Sequence, residues 1–190
     1  MQVKIKVIIR IIGIILVLTS IFIFIYLKYQ NKKDIINQDK IINETFSENN
    51  NKKIVYNNDT FIDILGYIEI PKFNIKRIIK YGTNKEVLDN NYVGLHENSS
   101  NLDDRGNIIL AGHNIDNVFK SLHKISIDDE IIINTSQNSY LYKVIEKKEI
   151  SVFDIEYLEQ YNEDILTLIT CTNDKSKRLL VLAKKNNIND

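Results

Sequence analysis

One unbroken apolar run near the start of the chain constrains its fold and its surroundings more than any other feature. Residues 11–27 (IIGIILVLTSIFIFIYL) carry no charge, and residues 7–9 extend the run past Arg10. About 21 apolar positions at about 1.5 Å of helical rise each cover roughly 30 Å, the thickness of a bilayer's hydrocarbon core. Arg10 can extend its charge to the interface, and Tyr26 and Tyr29 sit at the other end, where aromatic rings favour the headgroup region. A cleaved signal peptide is the competing reading. Against it, the run is longer than the apolar core of such peptides, and no small-x-small site follows. Residues 1–28 are therefore expected to form a short stub and an uncleaved transmembrane anchor. Lys4, Lys6 and Arg10 precede the run, while Lys28, Lys32 and Lys33 follow it with Asp34 beyond. The N-terminal side is slightly the more positive, which predicts an N-terminus inside and residues 28–190 outside.

What remains of the 190 residues fits one domain. With Lys+Arg 25 and Asp+Glu 25 the net charge is zero, so no basic face argues for nucleic acid. One Cys excludes an internal disulfide and any Cys-based zinc site, and a multi-His metal centre would consume all three His. Residues 29–60 are dominated by Asn, Lys, Asp, Glu and Gln. Loosely spaced Ile35, Ile36, Ile41 and Ile42 allow the membrane helix to continue to about Ile42, with a polar linker after it.

From residue 61 the signals are those of a β domain. Residues 66–70 (GYIEI) alternate and stop at Pro71; residues 75–81 (IKRIIKY) form a second strand ended by Gly82. Asn84 caps a single helical turn. Residues 107–111 (NIILA) read as a buried strand and residues 116–123 as a short helix. Residues 130–134 and 140–151 read as a hairpin, and residues 154–158 at most as a helical turn. Residues 165–171 and 178–185 are two strongly apolar strands joined by a polar loop. Many short strands with few helices argue for a mainly β fold, a closed barrel or a sandwich, over residues 61–190. The absence of strand–long helix alternation argues against a doubly wound sheet.

Cys171 is the most informative residue. A lone Cys is commonly just a small buried hydrophobe. This one ends a strand, shares a face with residues 165, 167 and 169, and lies seven positions before Arg178, which begins the next strand. A hairpin sets the two side by side, where a guanidinium favours the thiolate and can hold a developing oxyanion. A nucleophilic thiol needs a proton partner, and His113, just after the Ala111-Gly112 end of a buried strand, is the best candidate. His96, in a polar loop after Val93-Gly94, and His123, on an amphipathic turn, read as surface residues.

The ordered set of an apolar anchor, LAGHN (110–114), TLITC (167–171) and Arg178 leading a terminal apolar strand resembles the sortases. His113 stands 58 positions before Cys171, and GYIEIPKFNI and YGTN extend the likeness toward the start. The resemblance runs from about residue 66 to 185. It implies an eight-stranded closed β-barrel with short helices. It also implies a membrane-anchored cysteine transpeptidase on a Gram-positive cell surface. Such an enzyme cleaves an LPxTG-like C-terminal sorting signal after Thr, through a thioester. It then passes the acyl group to an amine on a peptidoglycan precursor or a pilin lysine. By the same resemblance, Cys171 is the nucleophile and His113 the general acid and then base. Arg178 holds substrate and oxyanion, and Thr170, Ala111 and His96 contribute to substrate binding. The His-to-Cys spacing is too short for the long helical insertion of class B, and no lid resembling class C precedes the barrel; class D or class A remains. The stretch HENSSNLDDRGN resembles the calcium loop of class A. Glu97 and Asp104 fall at ligand positions there, but Ser100 stands where that site has a carboxylate, so no cofactor is expected beyond this weak calcium candidate. Two other readings use the same residues: a membrane-tethered cysteine peptidase that transfers to water, and a non-enzymatic surface β-domain in which Cys171 is inert.

Overall fold

The computed structural model describes residues 2–46, 64–159 and 163–186. The chain divides into two compact units, Met1–Asn37 and Gln38–Asp190. The first is carried by α1, Gln2–Phe46, which is long and apolar enough to cross a membrane. Within it the aliphatic and aromatic side chains from Ile8 to Leu27 are all exposed, Phe22 to 70%. A helix apolar all round and covered by no protein has lipid as its natural solvent. Most of the expected linker lies outside the described residues, but residues 29–46 are helical.

The second unit is a closed eight-stranded barrel in the order β1-β2-β3-β4-β7-β8-β6-β5. Its strands are β1 Ile64–Ile70, β2 Ile75–Tyr81, β3 Val93–Leu95, β4 Asn107–Ala111, β5 Glu130–Asn134, β6 Ser139–Ser151, β7 Ile165–Cys171 and β8 Lys177–Lys185. The β1–β2 connection is a 3-10 turn begun by Pro71 and closed by Asn74 in the left-handed region. Asn84 caps α2, Lys85–Leu88, by accepting from the Val87 amide, as its residue type predicts. The helix expected over residues 116–123 is a 3-10 turn at Lys120–Lys124. Two pairings, β2 with β3 and β4 with β7, are parallel; the rest are antiparallel. Three-residue β3 left no alternation to read in the sequence. It fits beside β2 because Gly94 lies where an added Cβ would come within 2.3 Å of the Gly82 carbonyl oxygen.

Alternation along the strands separates two apolar layers. Inside the barrel pack Ile68, Ile70, Ile79, Ile108, Leu110, Leu166, Leu168, Val181 and their neighbours. On the outer face, Ile109, Ile150, Ile165, Ile169, Leu180 and Leu182 form a second cluster, with Tyr157 and Leu158 against it. The β6–β7 connection is fastened over this face by Asn107, whose Nδ2 donates to the carbonyls of Tyr157 (3.0 Å) and Glu159 (2.9 Å). Thr167 Oγ1 donates to Asn107 Oδ1 at 2.7 Å, so these polar groups are partnered beneath the loop.

The end of α1 is part of the barrel unit. Gln38 is 1% exposed; its Oε1 accepts from the Ile78 amide (3.3 Å), and its Nε2 donates to the Asn91 carbonyl (3.2 Å). It thereby serves the stretch of β2 that precedes its pairing with β3 at Ile79. Ile42, one turn on, is 1% exposed, and the Phe46 ring packs edge-on to Tyr67 at 5.0 Å. At the other side of the barrel Asp103 accepts from Thr135 Oγ1, Asn138 Nδ2 and Tyr140 Oη, tying the β3–β4 connection to the β5–β6 turn. What burial this carboxyl has pushes its pKa up, but the three hydrogen bonds and Lys185 outweigh that and hold it below the usual carboxylate range.

Two outcomes are expected. Gln38→Ala strands a buried amide and costs about 2 kcal/mol in urea unfolding of the full chain; an unchanged midpoint refutes the docking role of Gln38. Asp103→Asn costs about 0.5 kcal/mol at neutral pH, after discounting for solvent screening. A carboxyl with a depressed folded pKa stabilises above its unfolded value and loses that contribution as pH falls through the folded one. The gap between wild type and Asp103→Asn in thermal unfolding therefore closes below about pH 4, and a gap constant from pH 7 to 2 contradicts it.

Candidate active site

Cys171 ends β7 on the outer face, where the apolar cluster gives way to a half-exposed rim. It is the register partner of Arg178 on β8, and Arg178 Nη1 lies 3.4 Å from Cys171 Sγ. The turn between them is closely tied. The Thr172 amide donates to the Lys177 carbonyl, Thr172 Oγ1 contacts Asp174 Oδ1 at 2.6 Å, and Ser176 donates to Asp174 through both its amide and its hydroxyl. The hydrogen bonds from Thr172 and Ser176 hold the Asp174 carboxyl down at about 2, so it stays ionised and keeps the turn closed at any working pH. That fixes the guanidinium against the sulfur.

The parallel ladder of β4 on β7 brings the other element in. Ala111 pairs with Ile169, and the Gly112 amide donates to the Ile169 carbonyl at 3.1 Å. The chain therefore leaves β4 alongside the last residues of β7, with His113 as the first full side chain beyond the sheet. An added Cβ on Gly112 would meet the Phe119 ring at 2.7 Å. Phe119 is fully buried, and its amide donates to the His113 carbonyl at 3.1 Å, which holds the loop over the barrel end. Asn114 then reaches back, its Nδ2 donating to the Cys171 carbonyl (2.8 Å) and to Asn173 Oδ1 (3.2 Å). His113 Nε2 pairs with Asp89 Oδ1 at 3.1 Å, at the C-terminal end of α2.

The remaining candidates fall as follows. Thr170 points inward and is 4% exposed; its Oγ1 has no hydrogen-bond partner among the described residues. With Cys171, Asn114, Phe119, His123, Glu149 and others it lines a small pocket of about 50 Å³. Ala111 closes β4 on the outer face. His96 is committed to its own loop, its Nδ1 accepting from the Asn98 amide at 3.1 Å. Glu97 and Asp104 are exposed, and Asp104 accepts from Asn101. Among the described residues no three His, Cys, Asp or Glu side chains gather as cation ligands. A hard cation wants several oxygen donors, more than Glu97 and Asp104 supply. A cleft of about 350 Å³ lies along the outer face, where Ile150, Leu180, Leu182 and Tyr157 meet the polar side chains of Lys148, Glu149, Ser151 and Asp154. Asn114 and Asp89 carried no signal in the sequence. The first is an ordinary loop Asn beside a His; the second is 24 positions from its partner, in the polar run DNN.

A fixed guanidinium on a thiol, at a strand end beside an imidazole-bearing loop, suits nucleophilic attack on an acyl group. Comparison with known proteins agrees. A sortase-domain family model matches residues 68–186. Sortase A of Bacillus anthracis is 31% identical over 124 residues, covering 62% of this chain and 58% of that protein. Sortase A of Listeria monocytogenes is 25% identical over 126 residues, 56% of its length. The chain thus spans less than two thirds of these relatives. Among solved structures, the Clostridium perfringens sortase D5 transpeptidase superposes with a TM-score of 0.62 at 33% identity, over 66% of this chain and 80% of that one. Streptococcus agalactiae sortase C1 gives 0.62 at 28%, over 67% and 72%. From the barrel order, the ordered site and the family match together, the chain belongs to the sortase family.

Proposed function

We propose that this sortase is a membrane-anchored cysteine transpeptidase that cuts an LPxTG-like sorting signal after Thr and transfers the acyl part to a cell-wall amine. The observation that carries the reading is the 3.4 Å approach of Arg178 Nη1 to Cys171 Sγ, with Arg178 on β8, the strand that with β6 lines the outer-face cleft. A sorting-signal peptide lies extended along that cleft, its apolar side chain against Ile150, Leu180, Leu182 and Tyr157, its scissile carbonyl at Cys171. Ala111 and Thr170 flank the acyl group, and His96 stands at the entry to the β3–β4 connection.

The Cys171 thiolate adds to the Thr carbonyl carbon, and Arg178 holds the oxyanion. The C–N bond then breaks as the His113 imidazolium gives its proton to the leaving amine, and a thioester remains. An entering amine attacks that thioester, His113 takes the amine's proton, and the thiolate departs as the new amide forms. One difficult amide exchange becomes two easier steps. Lipid surrounds the anchor helix, and the charges of Lys4, Lys6 and Arg10 place the N-terminus in the cytoplasm and the barrel outside. We read the class as A or D from the sequence alone; proteins named sortase A, sortase D5 and sortase C1 are all similar to this chain, so likeness does not separate the classes.

The test incubates the full chain in micelles with LPxTG-type peptides, with and without a glycine- or diaminopimelate-based amine, and follows masses. Wild type should form an acyl adduct cut after Thr and convert it to an amide when amine is present. Cys171→Ala should abolish the adduct, and His113→Ala and Arg178→Ala should each lower kcat/KM by at least about a hundredfold. Cleavage to the free acid in preference to the amide identifies a peptidase. No adduct, with Cys171 resistant to alkylation, identifies a binding domain. The dependence of kcat/KM on pH should be bell-shaped; a monotonic rise removes His113 from the role of acid.

A further inference from the structure

The imidazole proposed to move protons in this site has a carboxylate of its own. Asp89 Oδ1 lies 3.1 Å from His113 Nε2, with side-chain exposures of 64% and 40%. The main chain that carries Asp89 is fixed: its amide donates to the Lys85 carbonyl, closing α2. That helical turn is in turn set by the Asn84 cap and by buried Val87. Several ionisable groups at this end of the barrel have partners of their own, among them Glu149, which pairs with Lys177 at 3.6 Å. Asp116 pairs with Lys120 at 3.0 Å, Asp174 is bound by Thr172 and Ser176, and Arg178 is on Cys171. Lys85 and Glu86 sit one turn earlier on α2.

We infer that Asp89 is a positioning residue for His113: it holds the Nε2–H, orients the ring, and stabilises the imidazolium that protonates the leaving amine. A carboxylate accepts only from a protonated nitrogen, so the contact assigns the proton to Nε2 and leaves Nδ1 as the nitrogen that exchanges protons with thiol and amine. The same carboxylate favours the charged ring through Coulomb attraction, reduced here by solvent because both groups are partly exposed. The inference rests on the acid–base reading of His113 given above.

The experiment measures kcat/KM against pH for the full chain in micelles, in wild type, Asp89→Asn, Asp89→Glu, His113→Ala and Glu86→Gln. Asp89→Asn should lose about two- to fivefold in kcat/KM at the pH maximum, the size expected for a screened, partly exposed pair. Asp89→Glu should recover most of the loss, and Glu86→Gln, one turn away, should match wild type. Raising the salt should narrow the difference between wild type and Asp89→Asn. A kcat/KM in Asp89→Asn equal to or above wild type, or no recovery in Asp89→Glu, beside an inactive His113→Ala, overturns the role of Asp89 alone. Activity retained in His113→Ala overturns the acid–base reading and this inference with it.

Discussion

The register of three adjacent strands decides where every reactive group can be. Parallel pairing of β4 with β7, from Asn107↔Ile165 to Ala111↔Ile169, sends the chain out of the barrel at His113 beside the end of β7. Antiparallel pairing of β7 with β8 places Arg178 across from Cys171. A slip of one residue in either ladder would turn the side chains to the other face. The slip is opposed by inner residues such as Leu166, Leu168 and Val181, each fully buried, and by outer ones such as Ile169 and Leu180. Each such burial is worth about 2 kcal/mol, so the site inherits its geometry from the cores on both sides of the sheet.

That double burial explains why the cleft lies where it does. Most barrel strands need cover on one face only. Here β4, β7 and β8 are apolar on both faces, and the β6–β7 connection covers the outer one, pinned by Asn107 and Thr167. The cover is incomplete: Phe153 is 89% exposed and Ile155 68%, while Tyr157 and Leu158 pack down. An extended peptide could complete it, which is the physical sense of proposing that the substrate lies there.

Much of this was legible in the residues. Strands with clear punctuation, such as Ile75–Tyr81 before Gly82 and Asn107–Ala111 after Gly106, match their sequence ranges, and Asn84 caps as its type demands. The adjacency of Cys171 and Arg178 followed from a seven-position hairpin spacing. Three things were not legible. β3 is too short to show a period, and its partner is chosen by the close approach of Gly94 to Gly82. The hydrogen bond from the Ile78 amide to Gln38 joins residues 40 positions apart, which no local pattern announces. Asp89 and Asn114 act across 24 and 57 positions, so only the closed barrel brings them to their partners.

The sequence contains a single cysteine, and it stands half-exposed against a guanidinium. A cysteine proposed to act as a nucleophile in acyl transfer is also exposed to attack by peroxide. Oxidation to the sulfenic acid would find no second thiol in the chain to close a protective disulfide. Return to the active form then depends on a thiol supplied from outside the molecule, and without one the next oxidation step is irreversible.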